Sequence, residues 1–306
     1  MPNINLLIKL MFKTYNPKEI PTKDFHEVML GCVAPRPIAW ASTIDAEGNV
    51  NLSPFSFFNV FGSKPPTAIF CPSRRVRDNT TKHTLANAEA TGECVINIAN
   101  YEISHQMVLS STEYPEDVNE FEKTGLTMVP SVMVKPPRVF ESPAQLECKV
   151  KQIIHLGTEG GAGNLIICEI VCIHVNENVL DENGHIDPFK MDQVARLGFT
   201  WYTRANKGLF KIPNPGAKLN IGFDGVPEHI RHSKYLTGNE IALLAGVENL
   251  PSAEDVEAEK NSPAVKAIHH KCIGNNEELQ MELHQLAKFL LSEGKTDEAW
   301  RVLMAG

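Results

Sequence analysis

The feature that most constrains the fold is a pair of long apolar-rich runs separated by a glycine-rich turn. Residues 144–156 alternate Leu146, Cys148 and Val150 with Glu147, Lys149 and Lys151. That period of two buries one face of a β-strand and leaves the other wet. Residues 165–175 are almost wholly apolar and β-branched. Between them, 157–164 reads Gly-Thr-Glu-Gly-Gly-Ala-Gly-Asn. This turn lacks the Gly-x-Gly-x-x-Gly spacing and opens no helix, so it reads as a hairpin loop rather than a phosphate-binding turn. Two long strands so joined pair antiparallel.

The rest of 35–204 is also strand-rich. Residues 38–44 form a short apolar and β-branched run, Asp45 to Gly48 make a turn, and 49–53 return, which is a second hairpin. Residues 67–71 lie between Pro65-Pro66 and Pro72, as suits a strand with defined edges. A helix is expected over 81–90 with Gly92 as its stop, and 93–99 resume strand character. Many short strands with few intervening helices point to a mainly β fold, a β-barrel with flanking helices, and away from a doubly wound dinucleotide-binding sheet.

Composition sets the class. With 42% apolar and 22% charged residues, the chain can bury a core and is not disordered. No apolar run approaches the roughly 20 residues of a membrane helix. The short 6–12 run is interrupted by Lys9, and no small-residue cleavage site follows, so no signal peptide is expected. Seven scattered cysteines without a CxxC pair indicate neither a disulfide framework nor a cysteine zinc site. The net charge of −8 disfavours nonspecific binding to nucleic acid or acidic membranes. A cytoplasmic chain with reduced thiols, no nucleic-acid partner and no membrane partner is the expectation.

Three regions are expected: a lead-in at 1–19, a strand-rich domain at 20–206, and a helical extension at 207–306. In the first, Met11 is a second candidate start; the alternative is that Leu6, Leu7, Leu10 and Phe12 pack on the domain. The break at 212–216 reads Ile-Pro-Asn-Pro-Gly. Helices are expected over 240–246, 253–260, 264–272, 277–292 and 296–304. Leu279, Leu283, Leu286 and Leu290 form an amphipathic stripe, expected to pack on the barrel or on a second subunit. The final two helices resemble a helical-repeat hairpin, too little to assign a repeat.

One constellation carries chemistry. Ser42 and Thr43 end the first strand. Ser53, Phe55, Ser56 and Asn59 set hydroxyls and an amide among aromatics. Cys71 and Ser73 end the third strand, and Arg74, Arg75, Arg77, Lys82 and Thr84 follow. Singly these are ordinary strand ends, turn residues and a solvated basic face. Together, fixed hydroxyl and amide donors beside several cations are what a phosphate monoester needs, and nearby aromatics suit a flat heterocycle. Thr84 also lies near a helix N-terminus, where an anion is favoured. The set points to a phosphorylated aromatic cofactor.

Other candidates are weaker. His229 and His232, and His269-His270 near Cys272, lack the further ligands a metal needs, and no metal site is expected. Cys168 and Cys172 read as buried thiols. His105 is a lone candidate helper, more ordinarily structural.

Several ordered blocks resemble the flavin reductase-like, FMN-binding split-barrel family, which includes flavoredoxins. They are Pro35-Arg-Pro-Ile-Ala-Trp-Ala-Ser-Thr43, Asn51-Leu-Ser-Pro-Phe-Ser-Phe-Phe-Asn59, Lys82-His-Thr-Leu-Ala-Asn87, Thr91-Gly-Glu-Cys-Val-Ile-Asn97, Gly163-Asn-Leu-Ile-Ile-Cys-Glu-Ile170 and Ala195-Arg-Leu-Gly198 with Tyr202. The resemblance covers roughly 20–206. It implies an FMN-binding split β-barrel, a homodimer, and transfer of electrons from NADH or NADPH through FMN to free flavin, a partner redox protein or another acceptor. The alternative it implies is a non-catalytic flavoredoxin-like carrier. It also implies roles: Ser42 and Thr43 at the isoalloxazine edge; Ser53, Phe55, Ser56 and Asn59 along ring and ribityl chain; Cys71 and Ser73 bordering the cofactor. Arg74, Arg77, Lys82 and Thr84 would reach the phosphate, and Arg196 and Tyr202 would face the site. His83 departs from the acidic residue common in that block, and the 74–81 segment is longer than in compact members. No acid–base dyad is expected, because the flavin itself carries the redox chemistry.

Overall fold

A computed structural model describes residues 11–115, 118–212 and 219–306. Leu6, Leu7 and Leu10 of the lead-in, and residues 213–216 of the expected break, lie outside the described residues; Phe12 is exposed. The chain divides into two compact units, Met1–Phe210 and Lys211–Gly306.

In the first unit, helix α1 (Thr22–Cys32) precedes four short strands: β1 (Ala39–Ile44), β2 (Val50–Phe55), β3 (Phe58–Ser63) and β4 (Pro66–Phe70). Helix α2 (His83–Thr91) leads into β5 (Glu93–Asn97). The short helices α3 (Ser104–Leu109) and α4 (Glu120–Thr124) come next, then the two-residue strands β6 (Met128–Val129) and β7 (Arg138–Val139). The long strands β8 (Ala144–His155) and β9 (Asn164–Val175) complete the main sheet. A short helix, α5 (Pro188–Met191), and the pair β10 (Val194–Arg196) and β11 (Tyr202–Arg204) close the unit.

The seven-stranded sheet has the order β2-β1-β5-β8-β9-β4-β3, antiparallel throughout. Its outer strands, β2 and β3, are consecutive in the chain and separated by Ser56 and Phe57 alone. Six gaps of about 4.8 Å would hold the edges of a flat sheet about 29 Å apart. Three virtual bonds of 3.8 Å reach at most about 11 Å. The sheet therefore rolls until its edges meet. Phe55 on β2 and Phe70 on β4 lie five strand spacings apart along the sheet, yet their ring centroids are 5.7 Å apart. Register shifts at Glu147/Cys148 and Val150/Gln152 in the β8–β9 pair supply the local bending that rolling requires.

Alternation then builds two cores. Ala39, Ala41, Phe55, Phe70, Ile96 and Ile166 share the enclosed face. Ile38, Trp40 and Leu52 face the other way, covered by Met107 of α3, Phe121 of α4 and Val139 of β7. Gly92, left-handed at φ +69°, ends α2 as the sequence indicates. Strand β3 was not expected. Its side chains are mostly exposed, Val60 and Phe61 among them, so it shows no alternation to read.

The second unit is helical: α6 (Glu228–Arg231), α7 (Gly238–Ala245), α8 (Ala253–Lys260), α9 (Pro263–Lys271), α10 (Asn276–Ser292) and α11 (Thr296–Met304). Four of these helices begin on side-chain caps: Thr237, in a capping box with Glu240, Ser252, Ser262 and Asn275. Such caps satisfy first-turn amides and are why the boundaries are legible. The leucine stripe of α10 faces the core of its own unit, with Leu283 and Leu290 buried beside Leu244, Trp300 and Leu303. This corrects the expectation that the stripe packs on the barrel or on a second subunit. Trp300 donates its Nε1–H to the Leu244 carbonyl at 2.9 Å.

His284 on α10 is 3% exposed. Ser233 Oγ accepts from the amides of Tyr235 and Leu236 and lies 2.6 Å from His284 Nδ1. With its acceptor sites so used, the hydroxyl donates its one proton to Nδ1, which fixes a neutral imidazole. Burial first, and His229 second, push this histidine down to about 4. A depressed histidine lends stability that is whole above its unfolded value of about 6.5 and fades as pH falls toward the folded value. Between pH 7 and pH 5 the second unit loses about 2 kcal/mol from this group. Urea unfolding followed by tryptophan fluorescence checks this: His284→Gln lowers stability at pH 7 and flattens the loss between pH 7 and pH 5.

Candidate functional site

Helix α2 starts where β2 passes the end of the barrel. Alternation along β2 puts Asn51, Ser53 and Phe55 on one face and Leu52 and Pro54 on the other. Asn51 donates its Nδ2–H to Thr84 Oγ1 at 2.8 Å, and both residues are buried. This bond ties the first turn of α2 to β2. Lys82 occupies the N-cap position of α2 but makes no side-chain cap. The Leu85 amide donates to the Lys82 carbonyl at 3.0 Å, and the His83 and Thr84 amides remain available to an anion.

A cleft forms here. Asn51 and Ser53 line one side, Arg75, Lys82 and Thr84 another, and the 110–114 loop with Glu120 a third. The loop is anchored below by Ser110, which accepts from Trp40 Nε1 at 2.9 Å and donates to the Met107 carbonyl at 2.7 Å. Glu120 Oε2 accepts from the Leu52 amide at 3.0 Å, and burial pushes its carboxyl up. Lys82 is held below the ordinary lysine value by burial and then by neighbouring Arg75.

The three arginines separate by geometry. Arg75 is the inward one, with its side chain 16% exposed against 72% for Arg77. It donates to Thr80 Oγ1 at 2.8 Å and to the Thr81 carbonyl at 2.6 Å. Arg74 turns to Asn79 instead. Glu113 bridges the other two, 3.1 Å from Arg75 Nε and 2.8 Å from Arg77 Nη2. A carboxylate on an exposed loop thus sits among the cations where an external anion would bind. Such an exposed pair stabilises little, so it exchanges readily.

A second cavity shares the lining residue Ser111 with the first. Arg36, Arg196, Ser56 and Tyr202 line it, with Ile38 and Met107 among its apolar walls. Arg196 lies over the Tyr202 ring, 4.7 Å from its centroid, and donates to the Tyr202 hydroxyl.

The expected residues fall into three groups. Ser53, Lys82 and Thr84 meet in the cleft; Ser56, Arg196 and Tyr202 meet in the second cavity. The others line neither. Ser42 and Thr43 are fully buried, and as adjacent strand residues they face opposite sides. Ser42 donates to the Pro137 carbonyl, and Thr43 Oγ1 accepts from Asn87 at 3.1 Å. Phe55 belongs to the enclosed core. Asn59 is turned to the Val60 amide. Cys71 is buried 3.9 Å from Ser73 Oγ, and burial pushes its thiol up. His105 is exposed and lines a separate hollow with Tyr101 and Arg204.

Sequence reasoning missed Asn51, Glu120, Arg36 and the 110–114 loop as lining residues. Asn51 was legible, two positions from Ser53 on one strand face. It also missed a trio in which Glu147 is buried and Cys172 and His174 are half-buried. Glu147, Cys172 and His174 place their ligand atoms within 4.8 Å of one another. Glu147 accepts from the Val132 and Met133 amides at 2.8 and 2.5 Å and lies 2.6 Å from His174 Nε2. Its oxygens are engaged in pinning the 130–139 loop, so the trio reads as a structural anchor.

Residues 30–198 match the flavin reductase like domain family. A protein of Aquifex aeolicus is 38% identical over 188 residues, covering 61% of this chain and 93% of its own length. Among solved structures, nitrilotriacetate monooxygenase component B from Bacillus cereus superposes with TM-score 0.62 at 27% identity, over 66% of this chain and 98% of that one. A split barrel domain protein from Shewanella frigidimarina superposes with TM-score 0.57 at 28% identity, over 66% and 100%.

The cleft's charge arrangement has a direct test. Glu113→Gln releases Arg75 and Arg77 from their internal partner and raises affinity for inorganic phosphate about 3- to 10-fold, while Arg75→Ala lowers it about 10-fold or more. Calorimetric titration at low salt reads both effects; equal affinity for Glu113→Gln and the parent contradicts the exchange.

Proposed function

The chain belongs to the flavin reductase like domain family, and on that premise we propose an FMN-dependent oxidoreductase of flavin reductase type, moving electrons from NADH or NADPH through bound FMN to free flavin or another acceptor. The observation that carries this reading is the convergence of Arg75, Lys82 and the uncapped start of α2 on one cleft, opposed by a single exchangeable carboxylate. That donor set fits a phosphate monoester. The adjoining cavity, with its apolar walls and serine hydroxyls, suits the continuation of such a ligand away from its phosphate.

Bound FMN supplies hydride acceptance and one- or two-electron release. The chain's own residues do the rest. Arg75 and Lys82 hold the phosphate by charge, and the His83 and Thr84 amides of α2 add directed donors. Ser53 on β2 lines the cleft, Ser56 just past the end of β2 lines the cavity, and Ser111 lines both. Glu120, whose carboxyl burial pushes up and whose Oε2 is held by the Leu52 amide, adds a polar wall to the cleft. Ser42, Thr43, Phe55, Asn59, Cys71 and Ser73, which the resemblance gives to the isoalloxazine edge, ring, ribityl chain and cofactor border, line neither hollow.

The name of the Bacillus cereus relative favours a partner oxygenase component as one acceptor. We assign the flavin to residues 20–206 of a homodimeric protein. Among the described residues no helix is long and apolar enough to cross a membrane, in keeping with a cytoplasmic enzyme.

Purified protein is expected to be yellow or to take up FMN, and anaerobic stopped-flow mixing with NADH and NADPH is expected to bleach the bound flavin. A chain that binds no FMN overturns the reading; one that binds FMN but is bleached by neither nucleotide is the flavoredoxin-like carrier. Lys82→Ala weakens FMN binding about 10- to 100-fold, the cost of one charge-assisted contact, and leaves riboflavin affinity unchanged by fluorescence quenching.

A further inference from the structure

The anchor of the 130–139 loop is built from metal-ligating groups. Glu147 lies on β8, and Cys172 and His174 lie on the neighbouring β9. The register pairs Glu147 with Cys172 and Gln145 with His174. Alternation therefore puts Glu147, Cys172 and His174 on one face of the sheet. Their placement is set by the ladder between two long strands rather than by a loop. His174 Nε2 is 2.6 Å from Glu147 Oε1 and 3.5 Å from Cys172 Sγ, so both contacts converge on the same ring nitrogen.

The donor set at this point suits a cation. An ionised carboxylate has about four acceptor sites. On Glu147 the Val132 amide takes one on Oε1, and the Met133 and Val134 amides take those on Oε2, at 2.8, 2.5 and 3.2 Å. The last, on Oε1, faces His174. Arg138 Nε stands 3.9 Å from that oxygen, but the guanidinium aims its N–H groups at the Pro130 carbonyl and Gln145 Oε1. A carboxylate only accepts, so His174 Nε2 now carries the proton between them.

Zinc held by a thiolate, an imidazole and a carboxylate keeps those ligand atoms about 3.4–3.6 Å apart in tetrahedral geometry. The nitrogen–sulfur separation already has that value. The nitrogen–oxygen separation has to widen by about 0.8 Å to reach it. The His174 side chain is 24% exposed, which gives an ion a path from solvent and leaves its fourth position to water. Mixed sulfur, nitrogen and oxygen donors favour zinc over magnesium and calcium, which take oxygen.

We propose that Glu147, Cys172 and His174 form a zinc site that clamps the 130–139 loop to the sheet, the ion replacing the proton between Glu147 and His174. Binding expels the Cys172 thiol proton and leaves the imidazole proton on Nδ1. The site shares no residue with the cleft or the second cavity and stands apart from the flavin reading.

The test uses the full chain, stripped of metal by chelation and titrated with zinc against a chromophoric chelator. Zinc K-edge absorption reads the ligands. One ion per chain is expected, with one sulfur and at least one imidazole around it. Cys172→Ser removes the sulfur and lowers affinity at least about 100-fold, beyond the loss expected of a residue that only supports a ligand. Cys32→Ser, which alters an exposed thiol, changes neither. Circular dichroism reports that both variants are folded. A parent chain that holds zinc no more tightly than Cys172→Ser overturns the proposal, as does a sulfur signal that survives Cys172→Ser.

Discussion

Two residues, Ser56 and Phe57, join the opposite edges of a seven-stranded sheet. Everything in the first unit follows from that short tether. A flat sheet cannot satisfy it, so the strands roll, Phe55 meets Phe70, and the Cys71 amide donates to the Phe57 carbonyl at 2.9 Å. Rolling separates the sheet into an enclosed face that holds the core and an outer face on which α3 and α4 sit. It also sets β2 at the rim, where one of its faces looks toward α2 and the other toward Arg36. The cleft and the cavity are the two sides of this one strand.

Electrostatics then distinguishes the two. In the cleft the cations are partly exposed and share Glu113, so binding an anion there is an exchange of one partner for another. In the cavity the cations have only carbonyl and hydroxyl partners, so binding adds a counter-charge that the fold omits. The chain is acidic overall, with a net charge of −8. Against that balance, Arg75 and Lys82 line the cleft and Arg36 and Arg196 line the cavity.

Much of the fold was legible because the relevant signals are local. The β8–β9 hairpin shows in alternation, and the helices of the second unit show in Thr237, Ser252, Ser262 and Asn275, whose side chains cap them. The unread elements lack such signals. Strand β3 is exposed along its length, and α3 and α4, six and five residues long, are too short to carry a helical period. The site was legible in part. Arg75 could not be told from Arg74 and Arg77 because 71–82 is irregular and has no period to orient its side chains. Ser42 and Thr43 illustrate the opposite case: strand alternation alone says that adjacent residues cannot both line one edge.

The central claim is that the phosphate of a flavin binds between Lys82, Arg75 and the start of α2. A crystal structure of the protein grown with FMN measures this most directly. The account predicts the phosphorus within hydrogen-bonding reach of Arg75 and Lys82, with the Glu113 carboxylate displaced from Arg75. A phosphate lodged instead against Arg36 and Arg196, or a cleft that keeps the Glu113 pairs while FMN lies elsewhere, would contradict it.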